Sequence, residues 1–207
     1  MNTEKNLNYI SYLIKFILIL AIVYDAVTLH YSELFITCLT LILLTYPYFL
    51  KKKYNLIMPI EIEFLITFFI FGTLYLGEIH DFYLKFTYWD VYLHTLSGFL
   101  LGLLGFVIVN SIISSNDKNK LTPLFFALFT FSFAVMIGVI WEVFEFFMDQ
   151  VFGMNMQKSG LVDTMWDLIV DSLGALVVAI SSYFYIKRKS PKGVIYNLID
   201  KLVTKKR

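Results

Sequence analysis

Long apolar stretches separated by short polar breaks dominate the chain. A helix needs about 20 mostly apolar residues to cross the hydrocarbon of a bilayer. Six stretches qualify: Ile10–Val27, Ser32–Leu50, Leu56–Leu76, Val91–Ile113, Leu124–Phe147 and Trp166–Tyr185. None alternates polar and apolar residues as a transmembrane barrel strand does. The first is too long for the apolar region of a signal peptide and no small-residue cleavage site follows it, so it reads as an uncleaved anchor. The pattern predicts an all-α, polytopic transmembrane helix bundle of about six spans, occupying residues 1–186. Beyond it, Val194, Ile195, Leu198, Ile199, Leu202 and Val203 recur at helical spacing among lysines. That predicts a basic amphipathic helix in a cytoplasmic tail, residues 187–207, resting on the inner leaflet.

Composition agrees. Of 207 residues, 58% are hydrophobic and 16% charged, against roughly 45–50% and 25% in soluble domains. Too few polar residues remain to cover a water-facing surface, which excludes a soluble enzyme. A net charge of +1 offers nothing to nucleic acid. The single cysteine, Cys38, excludes a disulfide framework or a cysteine-rich zinc module.

Charge then orients the bundle. With six spans and the N-terminus inside, fifteen of the seventeen cations fall on the inner side, leaving Lys85 and Lys158 outside. This positive-inside bias predicts an N-in, C-in topology. The acids sort the other way: eleven of sixteen lie outside or in the outer halves of spans, as do His30, His80 and His94. Acids contribute little to topology, so the outer face has its own use for carboxylates.

These acids are grouped. Asp90 and His94 open the fourth helix, followed by Ser97 and Gly98. Glu142, Glu145 and Asp149 close the fifth; Asp163, Asp167 and Asp171 open the sixth; Glu78, His80 and Asp81 end the third. Spacings of three and four place each set on one face of its helix. All three tryptophans immediately precede an acid, as interfacial anchors beside a polar ring would. Some of these acids have structural uses. Asp90, Asp163 and Asp167 suit helix N-termini, and Thr164 with Asp167 has the spacing of a capping box. Glu33 suits the first turn of the second helix, while Asp25, His30 and Glu78 read as solvated loop groups. Glu61 and Glu63 lie near Lys51–Lys53, and Gly98, Gly102, Gly105, Gly138 and Gly174 suit close helix approach.

The fifth-helix acids resist that treatment. The dipole disfavours negative charge at a helix C-terminus, and the three acids repel one another on a shared face. Asp171 and His94 fall about one turn inside the membrane boundary, where ionisable groups are costly and face the bundle interior. Shared protons, a bound divalent cation or exposure to water would each resolve the conflict. Carboxylates with one imidazole suit zinc, manganese or magnesium. His94, Glu142, Glu145 and Asp171 are the candidate metal ligands, and Asp149 or Asp167 the candidate general base. Asp90, Asp163 and Glu78 are secondary candidates.

At these residues the chain resembles the bacterial inner-membrane family of the YjdF type. The motifs are W-D-x-x-x-H-x-x-x-G at Trp89–Gly98, G-V-I-W-E-x-x-E at Gly138–Glu145, and G-L-x-D-T-x-W-D-x-x-x-D-x-x-G-A at Gly160–Ala175. The resemblance implies a six-helix protein of the bacterial cytoplasmic membrane, and no activity. Three functions stay open. One is a metal-dependent membrane enzyme acting on a lipid, lipid-linked or other small-molecule substrate. Another is a proton- or cation-coupled transporter, against which stand acids near one face and no visible inverted repeat. The third is an accessory subunit whose acids meet a cationic partner. The enzyme is the narrow preference.

Overall fold

The structure is a computed structural model and describes residues 2–54, 58–113, 121–188 and 192–203. It is helical throughout the described residues. The helices are α1 (Asn2–Thr28), α2 (Tyr31–Tyr54), α3 (Ile60–Ile70), α4 (Phe82–Lys85), α5 (Trp89–Ile112), α6 (Pro123–Phe152), α7 (Leu161–Arg188) and α8 (Val194–Val203). A π-helical segment, Phe71–Ile79, continues α3. Six spans are long and apolar enough to cross a bilayer: α1, α2, α3 with its π-helical continuation, α5, α6 and α7. Large apolar side chains such as Tyr12, Phe35, Leu128, Val143 and Leu173 stand exposed along them. Water would not tolerate so much exposed apolar surface, whereas lipid tails accept it. The protein is an integral, multi-pass membrane protein.

The chain divides into two compact units, Met1–Trp89 and Asp90–Arg207. In the first, Ile14 and Leu18 of α1, Leu44 of α2 and Tyr75 of the π-helical segment form the core. Lys51 pairs with Glu63, so Glu63 has the structural use expected of it. Pro59 precedes the first turn of α3, where a missing N–H does no harm. Trp89 packs on Phe82 and donates its indole N–H to the Gly72 carbonyl at 3.1 Å. Asp25 departs from expectation. It lies inside the last turn of α1 and is 7% exposed, accepting from the Thr37 hydroxyl at 3.2 Å. It is a buried group because α2 packs against this end of α1 and brings Thr37 onto it.

In the second unit, small residues set the helix spacing. A Cβ built on Gly98 would lie 2.1 Å from the Asp171 carbonyl oxygen, and one on Gly174 would lie 2.3 Å from that of Thr95. Backbone meets backbone where α5 crosses α7, a contact only glycine permits. Phe106, Phe126 and Tyr185 pack beneath that crossing. Thr122 caps α6, accepting from the Phe125 N–H with Pro123 in the first turn. Gly153, at φ 66, ends it. The tail helix α8 is tied to α7: Ile199 is fully buried, and the Tyr185 hydroxyl donates to Asp200 at 2.8 Å.

Candidate functional site: a carboxylate and histidine cluster

Two helix boundaries differ from those read in the sequence, and both alter the roles of acids. Helix α7 starts at Leu161, directly after Gly160 at φ 67, and not at Trp166. Asp163 therefore keeps a place in the first turn, but Asp167 lies in the second, beyond the free N–H groups that capping serves. Nor is Thr164 a capping residue. It sits within the helix and its hydroxyl accepts from Gln157 Nε2 at 2.6 Å. Helix α6 runs to Phe152, placing Glu142 about ten residues, or roughly 15 Å, from its end. Asp149 lies in that last turn, and its carboxylate accepts from the Met156 and Gln157 amides at 2.7 and 2.9 Å. This carboxylate holds the loop between α6 and α7, a structural use that leaves it out of the cluster.

The centre of the cluster is His94. Along α5, positions 90, 94 and 97 share one face. Along α7, positions 167 and 171 do the same. The imidazole bridges the two helices: Nδ1 lies 3.2 Å from Asp171 Oδ2, and Nε2 lies 3.7 Å from Asp90 Oδ1 and 3.9 Å from Asp167 Oδ1. The Ser97 hydroxyl donates to the other Asp171 oxygen. Gly138 of α6 completes this corner. A Cβ there would lie 3.0 Å from Asp171 Oδ2, so the bare glycine makes room for the carboxylate. Asp171 and Asp167 are 3% and 2% exposed.

One ligand atom each from Asp90, His94 and Asp167 falls within 4.8 Å of the others, a separation that suits a metal ion. Asp171 instead lies against Nδ1, on the opposite side of the ring. A carboxylate there fixes the tautomer and leaves Nε2 free to bind a cation. The geometry thus groups Asp90 and Asp167 with His94 Nε2, while Asp171 meets Nδ1 and Glu142 and Glu145 lie on α6.

Glu142 and Glu145 are buried on α6. Glu145 accepts from the Trp141 indole N–H at 2.8 Å, which spends that tryptophan on the protein rather than on the membrane interface. Glu142 has the Thr164 hydroxyl beside it but no hydrogen bond of good geometry at either oxygen, and Asp167 has none at Oδ2. Lys158, on the loop between α6 and α7, reaches Asp90 Oδ2 at 2.5 Å. Asp163 is half-buried beside these groups. Glu78 is exposed in the first unit, near the end of the π-helical segment. Ser97, Gln157 and Lys158 were not among the expected site residues. The signal for Ser97 was present, three residues after His94, whereas the other two depend on a loop path that no spacing encodes.

A protein of Thermotoga maritima described as uncharacterized is 29% identical over 133 residues, covering 64% of this chain and 67% of that one. No solved structure matches. The likeness read from the Trp-acid motifs holds over most of the chain: residues 10–188 match the family described as "Predicted membrane protein (DUF2238)", and the protein belongs to it.

Proposed function

We propose that the second unit holds a divalent cation and uses it as a membrane-embedded hydrolytic centre acting on a lipid or lipid-linked substrate. The observation that carries this reading is the convergence of one donor atom each from Asp90, His94 and Asp167 within 4.8 Å of one another. One imidazole with two carboxylates is a donor set for zinc or manganese, with a coordination position left for water. A cation would also relieve the burial of Asp167 Oδ2, which has no hydrogen bond, and of Glu142, which has only the Thr164 hydroxyl beside it. Such a cation, held by Asp90, His94 and Asp167, would supply a water nucleophile near neutral pH. Glu142 is the nearby carboxylate available to accept its proton. The attacking oxygen forms the new bond to phosphorus or carbon as the leaving oxygen departs, and Glu142 returns the proton to it. Lys158, which pairs with Asp90, would turn to a headgroup phosphate once a cation takes that carboxylate.

In this reading the cluster faces the outer side of the bacterial cytoplasmic membrane, following the charge bias of the loops. Elemental analysis of the purified full-length protein, beside Asp167→Asn and Glu142→Gln, tests the proposal. The expected result is near-stoichiometric zinc or manganese in the parent and its loss in Asp167→Asn. Glu142→Gln should keep the metal and lose turnover on phosphoryl or acyl lipids. No bound metal in the parent, even after zinc or manganese is supplied and the excess removed, would overturn it. Proton- or cation-coupled transport is the second reading. It rests on the same buried Glu142 acting as an ion carrier, and it predicts pH-dependent flux in proteoliposomes that Glu142→Gln abolishes.

A further inference from the structure

The first unit contains a cavity of about 430 Å³ that the metal reading does not use. Two acids line it, Asp25 and Glu33, together with the rings of Tyr24, His30, Tyr75 and His80; aliphatic side chains of α1 complete the wall. Three observations point to an occupant.

The first is the state of Asp25. It is 7% exposed, and its partner is the Thr37 hydroxyl at 3.2 Å. That hydroxyl also lies 2.8 Å from the Glu33 carbonyl. A threonine has one hydroxyl proton, and the shorter contact is to the carbonyl. A buried carboxylate facing the cavity is thus short of donors, a costly arrangement unless something else supplies positive charge.

The second is the backbone opposite. Residues 71–79 form a nine-residue π-helix, with the His80 N–H donating five residues back to the Tyr75 carbonyl at 3.2 Å. Extended π-helix is rare and concentrates at functional positions. Its wider turn brings Tyr75, Ile79 and His80 to one cavity wall; in an α-helix, residues five apart point away from each other. Tyr75 and His80 pack edge-to-face at 4.7 Å, as do Tyr24 and His30 at 6.2 Å.

The third is the company the acids keep. Among the described residues neither Asp25 nor Glu33 forms an ion pair, while Lys51 pairs with Glu63, and Lys85 pairs with Asp81 and donates to the His80 carbonyl at 2.7 Å. Aromatic faces beside a desolvated carboxylate are the surroundings that attract an organic ammonium group. Calcium or magnesium would want six or more oxygens, which a wall of rings and aliphatic side chains does not offer.

We infer that this open cavity binds an organic ammonium group, with Asp25 and Glu33 balancing its charge and the tyrosine and histidine rings lining its wall. The ammonium can belong to an aminophospholipid headgroup or to a free small amine, and the volume accepts either.

The test uses the full chain in nanodiscs of phosphatidylglycerol, with chelator present so that the second unit's cluster does not contribute. Ethanolamine and tetramethylammonium chlorides are titrated against matched sodium chloride and followed by thermal shift and calorimetry. In a second arm, phosphatidylethanolamine is added to the nanodiscs and its retention is read by native mass spectrometry. A free-amine site gives saturable binding in the first arm. A headgroup site gives retention in the second with little response in the first. In either case Asp25→Asn should weaken binding at least tenfold. Glu33→Gln and Tyr24→Ala should each weaken it several-fold, which keeps the test open if Asp25→Asn fails to fold. The inference falls if neither arm shows binding, if sodium or magnesium reproduces the effect at equal concentration, or if the folded variants bind as the parent does.

Discussion

Glu142 has two buried carboxylate oxygens with only the Thr164 hydroxyl beside them and no hydrogen bond of good geometry, in a region crowded with other acids. A buried polar group left unsatisfied costs about 1–3 kcal/mol, and more when charged. Glu142→Gln removes the charge while keeping the shape. The metal-free protein should therefore unfold at a higher temperature than the parent, by an amount equivalent to about 1 kcal/mol or more. The stabilisation that zinc adds should shrink in the same variant. Melting curves with and without metal read both effects, and an unchanged or lower melting temperature without metal would show that Glu142 is satisfied by other means. Asp171 predicts a different outcome. Its contact with His94 Nδ1 orients the ring without occupying the position at Nε2. Asp171→Asn keeps an acceptor there but weakens it, so metal affinity should fall roughly 10- to 100-fold while the protein still folds. Chelator competition measures that directly. Full loss of metal would make Asp171 a ligand, and no loss would remove it from the site.

At the scale of elements, the α5–α7 crossing carries the cluster, and its tolerance to substitution is set by backbone contact. Gly98→Ala and Gly174→Ala each drive a methyl group onto a carbonyl oxygen of the facing helix, at 2.1 and 2.3 Å. Neither oxygen can rotate away as a side chain could, so each substitution should cost about 3 kcal/mol or more and reduce the yield of folded protein. Gly153→Ala provides the contrast. Its φ is 66, with nothing within 4 Å of the added methyl, so it should cost only the left-handed backbone penalty of about 1–2 kcal/mol. Comparable losses at all three positions, by thermal melts in detergent, would refute the close-crossing argument. These elements also show what could be read in advance. The spans were legible because a bilayer dictates helix length and apolarity, and the glycines because helices in lipid approach through small residues. The ends of α6 and α7 were misplaced by reading boundaries from hydropathy, which fades at the headgroup level, when Gly153 and Gly160 mark both ends. That error put Asp167 in a capping position and hid its burial. The π-helical segment was not legible at all, since nothing in Phe71–Ile79 distinguishes it from ordinary apolar helix.

For the whole molecule, hydrophobicity determines which segments span but not which way they face, and the direction decides where a substrate would come from. Fifteen of the seventeen cations gather on one side of the six spans under an N-in, C-in arrangement. Insertion responds to lysine and arginine far more than to acids, so the carboxylate-rich ends of α5, α6 and α7 should face outward. An upright bundle and its inversion have identical internal contacts, so labelling from outside decides the direction. Cys38 is the one native cysteine, so a Cys38→Ser background gives a clean labelling test. Met154→Cys, exposed in the loop between α6 and α7, should react with a membrane-impermeant maleimide in intact cells. Lys192→Cys, exposed before the tail helix, should react only after the membrane is opened. The reverse pattern would place His94 and its carboxylates at the cytoplasmic face. A lipid substrate would then have to come from the inner leaflet, and the outward excess of acids would need an explanation other than a site.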